Sequence, residues 1–166
     1  MGSEITIRHI PDQWVVSTRG RVPESAIPDL LGRSFGAIFG YLGRLGIEAT
    51  GHPFVIYHEF GAGAIDAEVC APIATEIAPE IRPDGEIGVR LLAGGPVAQT
   101  LHVGPYEELA RTYDGLTAWI RDNGHEVSGP VCERYLTGIA DGVDPATYRT
   151  EIEMPIEEAA TAAVTG

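Results

Sequence analysis

The chain has 166 residues, 44% hydrophobic and 21% charged, enough for one compact domain with a substantial core. Acidic residues outnumber basic ones 24 to 11, the net charge is −13, and every basic residue is an arginine. Such a balance argues against direct binding of nucleic acid or of an anionic membrane, since phosphate contacts require a basic surface.

No stretch approaches the roughly 18 apolar residues that cross a bilayer. The N-terminus, MGSEITIRHI, lacks the basic and then apolar pattern of a secretory signal, so a cytoplasmic location is expected. Cys70 and Cys132 have no metal-ligand spacing and read as reduced, buried thiols.

Residues 4–9 alternate polar and apolar and predict a strand; Pro11-Asp12 turns the chain into a second strand, Trp14 to Val22. A helix follows, with Glu24, Ser25 and Pro28-Asp29 near its start and Ile27, Leu30, Leu31, Phe35, Ile38, Leu42 and Leu45 as its apolar stripe. Gly32, Gly36, Gly40 and Gly43 punctuate that helix, read either as close packing on the sheet or as space for a ligand or second copy. Residues 53–60 and 64–73 predict a hairpin around Gly61-Ala62-Gly63. Residues 74–86 are a Pro-rich acidic connector. Strands follow at 87–92 and 97–103, then a helix from Tyr106 to Asn123, a strand after Gly129-Pro130, a loop at 137–146 and a last strand at 147–155. Residues 157–166 form a flexible tail without core pattern.

The two halves repeat each other. Gly46-Ile-Glu-Ala-Thr-Gly51 matches Gly124-His-Glu-Val-Ser-Gly129, and Glu68-Val-Cys-Ala-Pro-Ile73 matches Glu151-Ile-Glu-Met-Pro-Ile156. Pro23 and Pro105 stand at equivalent strand ends, and Phe35, Ile38 and Tyr41 align with Tyr113, Leu116 and Trp119. A repeat of this length implies a duplicated strand-helix-strand-strand unit, about 4–73 and about 87–156, in one α+β domain spanning 1–156. Its expected architecture is one antiparallel sheet with two helices on one face and a cleft between the halves. Aligned on Pro53 and Pro130, Glu133 falls opposite Ile56 and Tyr135 opposite His58. An acid in one copy only is a better functional candidate than Glu68 and Glu151, which are matched.

The second helix places Tyr106, Leu109, Tyr113, Leu116 and Ile120 on one face with Trp119 at its edge. Strand alternation puts Val131, Glu133 and Tyr135 on one side and Cys132 and Arg134 on the other. A carboxylate sharing a strand face with Val and Tyr, next to a tyrosine-rich helix stripe, is an unusual mixture, and the function is placed there. For an ordinary strand glutamate, the plain reading is an exposed carboxylate or a partner for Arg134 or Arg149.

The stretch His102-x-Gly-Pro-Tyr-x-x-Leu109, with Leu116-x-x-Trp-x-x-x-x-Gly124, Gly129-Pro-x-x-Glu-x-Tyr135 and Tyr148-x-Thr-Glu-Ile-x-x-Pro-Ile156, resembles the GyrI-like small-molecule-binding domains. These also serve as effector-binding domains of multidrug-responsive transcription regulators. The resemblance implies a pseudo-twofold fold with Glu133 facing the ligand cleft, and binding of bulky aromatic, preferably cationic molecules. Tyr135, Tyr106, Tyr113, Trp119, Tyr148, Phe35 and Tyr57 are the candidate walls. Core packing is the plain reading of these residues, of Trp119 most of all, which is matched to Tyr41 and suited to anchoring its helix to the sheet.

Two rival classes are implied by the same family. One is a hydrolase that detoxifies cyclopropane-containing DNA-alkylating natural products, with Glu133 activating water and Tyr135 as a second catalytic group. The other is a gyrase-inhibitor-like module that docks a protein through its acidic exterior. The residues support no cofactor. His9, His52, His58, His102 and His125 lack metal-ligand spacing, and neither a nucleophile elbow nor a phosphate loop is present. The expected partner is a small molecule, with a protein partner if the domain regulates transcription, and a monomer or dimer as the assembly.

Overall fold

The computed structural model describes residues 4–61, 63–138 and 141–157; the expected tail beyond Glu157 lies outside them. Strands are β1 (Ile5–Ile10), β2 (Gln13–Pro23), β3 (Phe54–Gly61), β4 (Ala64–Pro72), β5 (Gly88–Leu92), β6 (Gly95–Val103), β7 (Glu126–Val127), β8 (Val131–Thr137) and β9 (Arg149–Glu157). The helices are α1 (Ile27–Leu45) and α2 (Leu109–Asp122). All the strand pairings described are antiparallel. The α+β class and the strand-helix-strand-strand order of each repeat are those expected from the sequence.

The chain forms two compact units, residues 11–94 and residues 1–10 with 95–166. In the 11–94 unit the strand order is β5-β2-β4-β3; in the other it is β1-β6-β9-β8, with β7 on β9. The first strand of each linear half therefore pairs within the opposite unit: β1 with β6, and β5 with β2. The expected connector, 74–86, closes with an Asp84–Ile87 bridge, and Ala78, Ile81 and Ile87 are buried; Ile87, expected to open the next strand, precedes β5.

Both helices begin the same way. A short 3-10 turn (Glu24–Ala26 or Tyr106–Glu108) follows a proline, Pro23 or Pro105, and widens into the α-helix. The second helix thus starts three residues after Tyr106. α1 has a proline in its first turn, whose missing N–H costs nothing there, and stops at Gly46, left-handed at φ 69°. α2 ends through Asn123 and the left-handed Gly124.

α1 buries Leu30, Ser34, Ile38, Tyr41 and Leu42. Leu45, expected in the apolar stripe, is exposed, and Tyr41 takes the inward place with its hydroxyl donating to the carbonyl of Arg82. The exposed Gly32, Gly36 and Gly43 have open space around them, so close packing on the sheet does not explain them. α2 buries Leu116 and Ile120, the repeat partner of Ile38 being Leu116, and both of those are fully buried.

The strand ladders set the repeat register. Ile56 pairs with Glu68 and Val55 with Val69; Arg134 pairs with Glu151 and Glu133 with Ile152. With Glu68 and Glu151 equivalent, the counterpart of Glu133 is Val55, not Ile56, and that of Tyr135 is Tyr57, not His58. The bulges agree, falling between Tyr57 and Glu59 and between Tyr135 and Thr137. Aligning on the prolines misses by one because Gly51-His52-Pro53 has one residue more than Gly129-Pro130. In a strand, a slip of one residue exchanges the two faces.

Candidate functional site

β8 presents Glu133 and Tyr135 on the side of the sheet that faces α2, as the alternation of its residues predicts. The contact with α2 is direct: Tyr113 donates its hydroxyl to Glu133 Oε2, while Tyr135 donates to Oε1 at 2.8 Å. Glu133 is only 6% exposed. Burial raises its pKa above the ordinary carboxylate value, opposed by the two tyrosine hydroxyls and by nearby His102. Both donors are neutral. Among the described residues, no arginine forms an ion pair with this carboxylate.

Tyrosine rings extend the site. Tyr106 meets Tyr135 edge-on at 6.1 Å between centroids and lies tilted against Tyr148 at 5.1 Å. Gly138 lies directly against the Tyr106 hydroxyl, where a Cβ would collide with it. Below these rings, His102 of β6 is buried and doubly tied. Its Nε2 donates to the carbonyl of Pro105 at 3.0 Å, and its Nδ1 lies 2.7 Å from Thr112 Oγ1 on α2. Gly104 makes this possible: at φ 135° it folds the chain back so that the next carbonyl reaches the ring. Thr150 of β9 pairs with His102 on one side and Tyr135 on the other, on the same face as Glu133.

Of the residues named from the sequence, Glu133, Tyr135, Tyr113, Tyr106 and Tyr148 thus come together within one unit. Trp119 stacks on His125 at 6.3 Å, near the end of α2, in line with an anchoring role. Phe35 and Tyr57 belong to the 11–94 unit, half-buried on α1 and buried on β3. His102 and Thr150 were not named as site residues. Their signal was strand parity, since each lies an even number of residues from another inward-facing position, but parity acquires meaning only with the pairing register.

The opposite face of the same strands carries a self-compensated network. Arg134 binds Glu153 at 2.6 Å and Glu151 at 3.2 Å, and Gln99 joins Glu153 to Arg8. Among the described residues, no cluster of three or more His, Cys, Asp or Glu side chains suits a metal ion. No helix of the described residues is long and apolar enough to cross a membrane.

The solved structures similar to this chain share this arrangement of strands and helices. The EcmrR C-terminal domain superposes with a TM-score of 0.82 at 27% identity, covering 96% of this chain and all of that one. SAV2435 bound to tetraphenylphosphonium gives a TM-score of 0.65 at 16% identity, covering 98% and 99% of the two chains. A hydrolase from Listeria innocua gives 0.69 at 12% identity, covering 94% and 93%. These last two likenesses concern the fold alone. A search of the curated proteins finds no match. The family model of the GyrI-like small molecule binding domain matches residues 3–157, and the chain belongs to that family.

Proposed function

We propose that this domain binds bulky aromatic cations, with the Glu133 carboxylate as counter-charge and Tyr113, Tyr135, Tyr106 and Tyr148 as aromatic contacts. The observation that carries the reading is a buried carboxylate held by two neutral hydroxyls and no arginine. An anion in such a place is costly by itself, and an incoming cation offsets the cost. At about 4 Å and an effective dielectric of about 20, the attraction is roughly 4 kcal/mol before desolvation is subtracted. Tyrosine faces add about 0.5–2 kcal/mol each when a cation lies over them. The structure of SAV2435 with tetraphenylphosphonium supports this choice of ligand class.

The test is titration calorimetry with tetraphenylphosphonium and with neutral triphenylmethanol, on wild type and Glu133→Gln. The expected result is that the variant loses affinity for the cation and keeps it for the neutral compound. Equal affinity of both proteins for the cation would remove Glu133 from the site.

A second reading draws on the same geometry. A buried carboxylate with a raised pKa is suited to general-base activation of water, with Tyr135 polarising the substrate. The substrate class is then a cyclopropane-containing alkylator. Incubation followed by mass spectrometry distinguishes the two: a water adduct that Glu133→Gln fails to form supports hydrolysis, while unchanged compound supports binding alone.

A further inference from the structure

Thr150 is fully buried, and among the described residues its Oγ1 has no hydrogen-bond partner. A buried hydroxyl without a partner is uncommon, because it has lost water and gained nothing. Its neighbours do not supply one. Across β9, His102 has both ring nitrogens engaged, by Pro105 and Thr112. On the other side, Tyr135 directs its hydroxyl to Glu133. Thr150 is a diagonal neighbour of Glu133, which pairs with Ile152; such positions lie about 7–8 Å apart.

The other unit shows what this position looks like without a site. Val69 pairs with Thr18 and Ala67 with Gly20, as Ile152 pairs with Thr100 and Thr150 with His102. The counterparts of Glu133, Thr150, His102 and Tyr113 are therefore Val55, Ala67, Gly20 and Phe35. At these four positions one repeat has polar side chains and the other has none. Three of the four bind one another or their neighbours; Thr150 alone offers an unused hydroxyl.

We infer that Thr150 is a second anchor of the ligand, so that the preferred ligand is an aromatic cation carrying a hydrogen-bond acceptor set apart from its positive centre. This rests on the proposed binding of cations at Glu133 and names the ligand more closely. The cation meets Glu133, and the acceptor, a carbonyl or ether oxygen, takes the Thr150 proton. Tyr135 pairs with Thr150 across the ladder, Tyr148 stands two residues before it, and the Tyr106 ring meets the rings of both tyrosines. These rings part to admit the ligand, as they must for any compound that reaches Glu133.

The experiment uses 4-benzoyl-N-methylpyridinium, 4-benzyl-N-methylpyridinium, which lacks the carbonyl, and tetraphenylphosphonium. Each is titrated into wild type, Thr150→Val and Thr150→Ser. Thr150→Val should weaken the benzoyl compound about fivefold to tenfold, the scale of one hydrogen bond, and leave the other two within about twofold. Thr150→Ser should bind the benzoyl compound like wild type. The melting temperature of ligand-free Thr150→Val should equal or exceed that of wild type, because an unpartnered hydroxyl is removed. Equal weakening of all three compounds, or of none, overturns the proposal and leaves the cation reading standing, as does a fall in melting temperature. Failure of Thr150→Val to fold counts as such a fall; Thr150→Ala in the same titrations should, like Thr150→Val, weaken the benzoyl compound alone, and equal effects on all three cations overturn the proposal. Failure of all three cations to bind wild type overturns the cation reading itself, and the Thr150 proposal with it.

Discussion

Glu68 of one repeat and Glu133 of the other are both buried, and they are treated in opposite ways. Glu68 in the 11–94 unit takes hydrogen bonds from Ser17 at 2.7 Å and from Arg90 Nε at 2.8 Å, with His58 Nε2 at 2.8 Å. Burial alone would raise its pKa, yet Arg90, Ser17 and His58 together lower it to about 2. Glu133 has two tyrosine hydroxyls, and its pKa moves up. Glu68 lies on the sheet face away from α1, where its charge is answered within the unit. Glu133 lies on the face toward α2, where it is not. A carboxylate already matched by a cation holds a fold together; one held only by neutral dipoles is left with its charge unmatched.

The largest expected effect breaks the compensated side. Arg90→Met should destabilise the protein by roughly 3 kcal/mol, the low end for a broken buried pair, since Arg90 itself is half exposed. Chemical denaturation measures it, and a loss below about 1 kcal/mol would show that Ser17 and His58 hold Glu68 unaided.

Stability against pH should separate the two acids by sign. Glu68 titrates below its unfolded value of 4.5, so its stabilisation is present above that pH. As pH falls from about 4.5 toward about 2, up to about 3 kcal/mol is lost. Glu133 titrates above its unfolded value, so the folded state is favoured at low pH and loses that contribution as pH rises through the folded pKa. Denaturation of wild type and Glu133→Gln across pH 3 to 8 checks both, and the variant should lack only the second slope.

Glu133→Gln should weaken cation binding by about 1–3 kcal/mol, the worth of a charged hydrogen-bonding partner, without loss of stability. In wild type, cation affinity should rise with pH through the Glu133 titration, and a neutral ligand should be indifferent. A pH-independent cation affinity would break the assignment. Smallest, Tyr135→Phe removes one donor from the carboxylate. It should cost about 1 kcal/mol in cation affinity and move the pH of half-maximal binding upward, because the hydrogen bond that favours the ionised form is lost.

The arginine-paired Glu68 and the tyrosine-held Glu133 belong to different units of one duplicated chain, a division the sequence showed only in part. Net charge, both helix starts, the glycine stops at Gly46 and Gly124, and the duplication itself were legible because they depend on local chemistry and spacing. So was the setting of Glu133 beside tyrosine side chains, through strand alternation and the helical stripe. The counterpart Ile56 was misread because a single inserted residue before β3 changes the face, and only the ladder to β4 shows which register is taken. The pairing of β1 with β6 and β5 with β2 was likewise beyond local signals, since strand partners are chosen by long-range contacts. For the same reason, no spacing in the sequence places Thr150 between His102 and Tyr135. Periodicity determines which side of an element is apolar; tertiary structure alone decides which side chains from distant elements meet there, and which buried polar group is left without a partner.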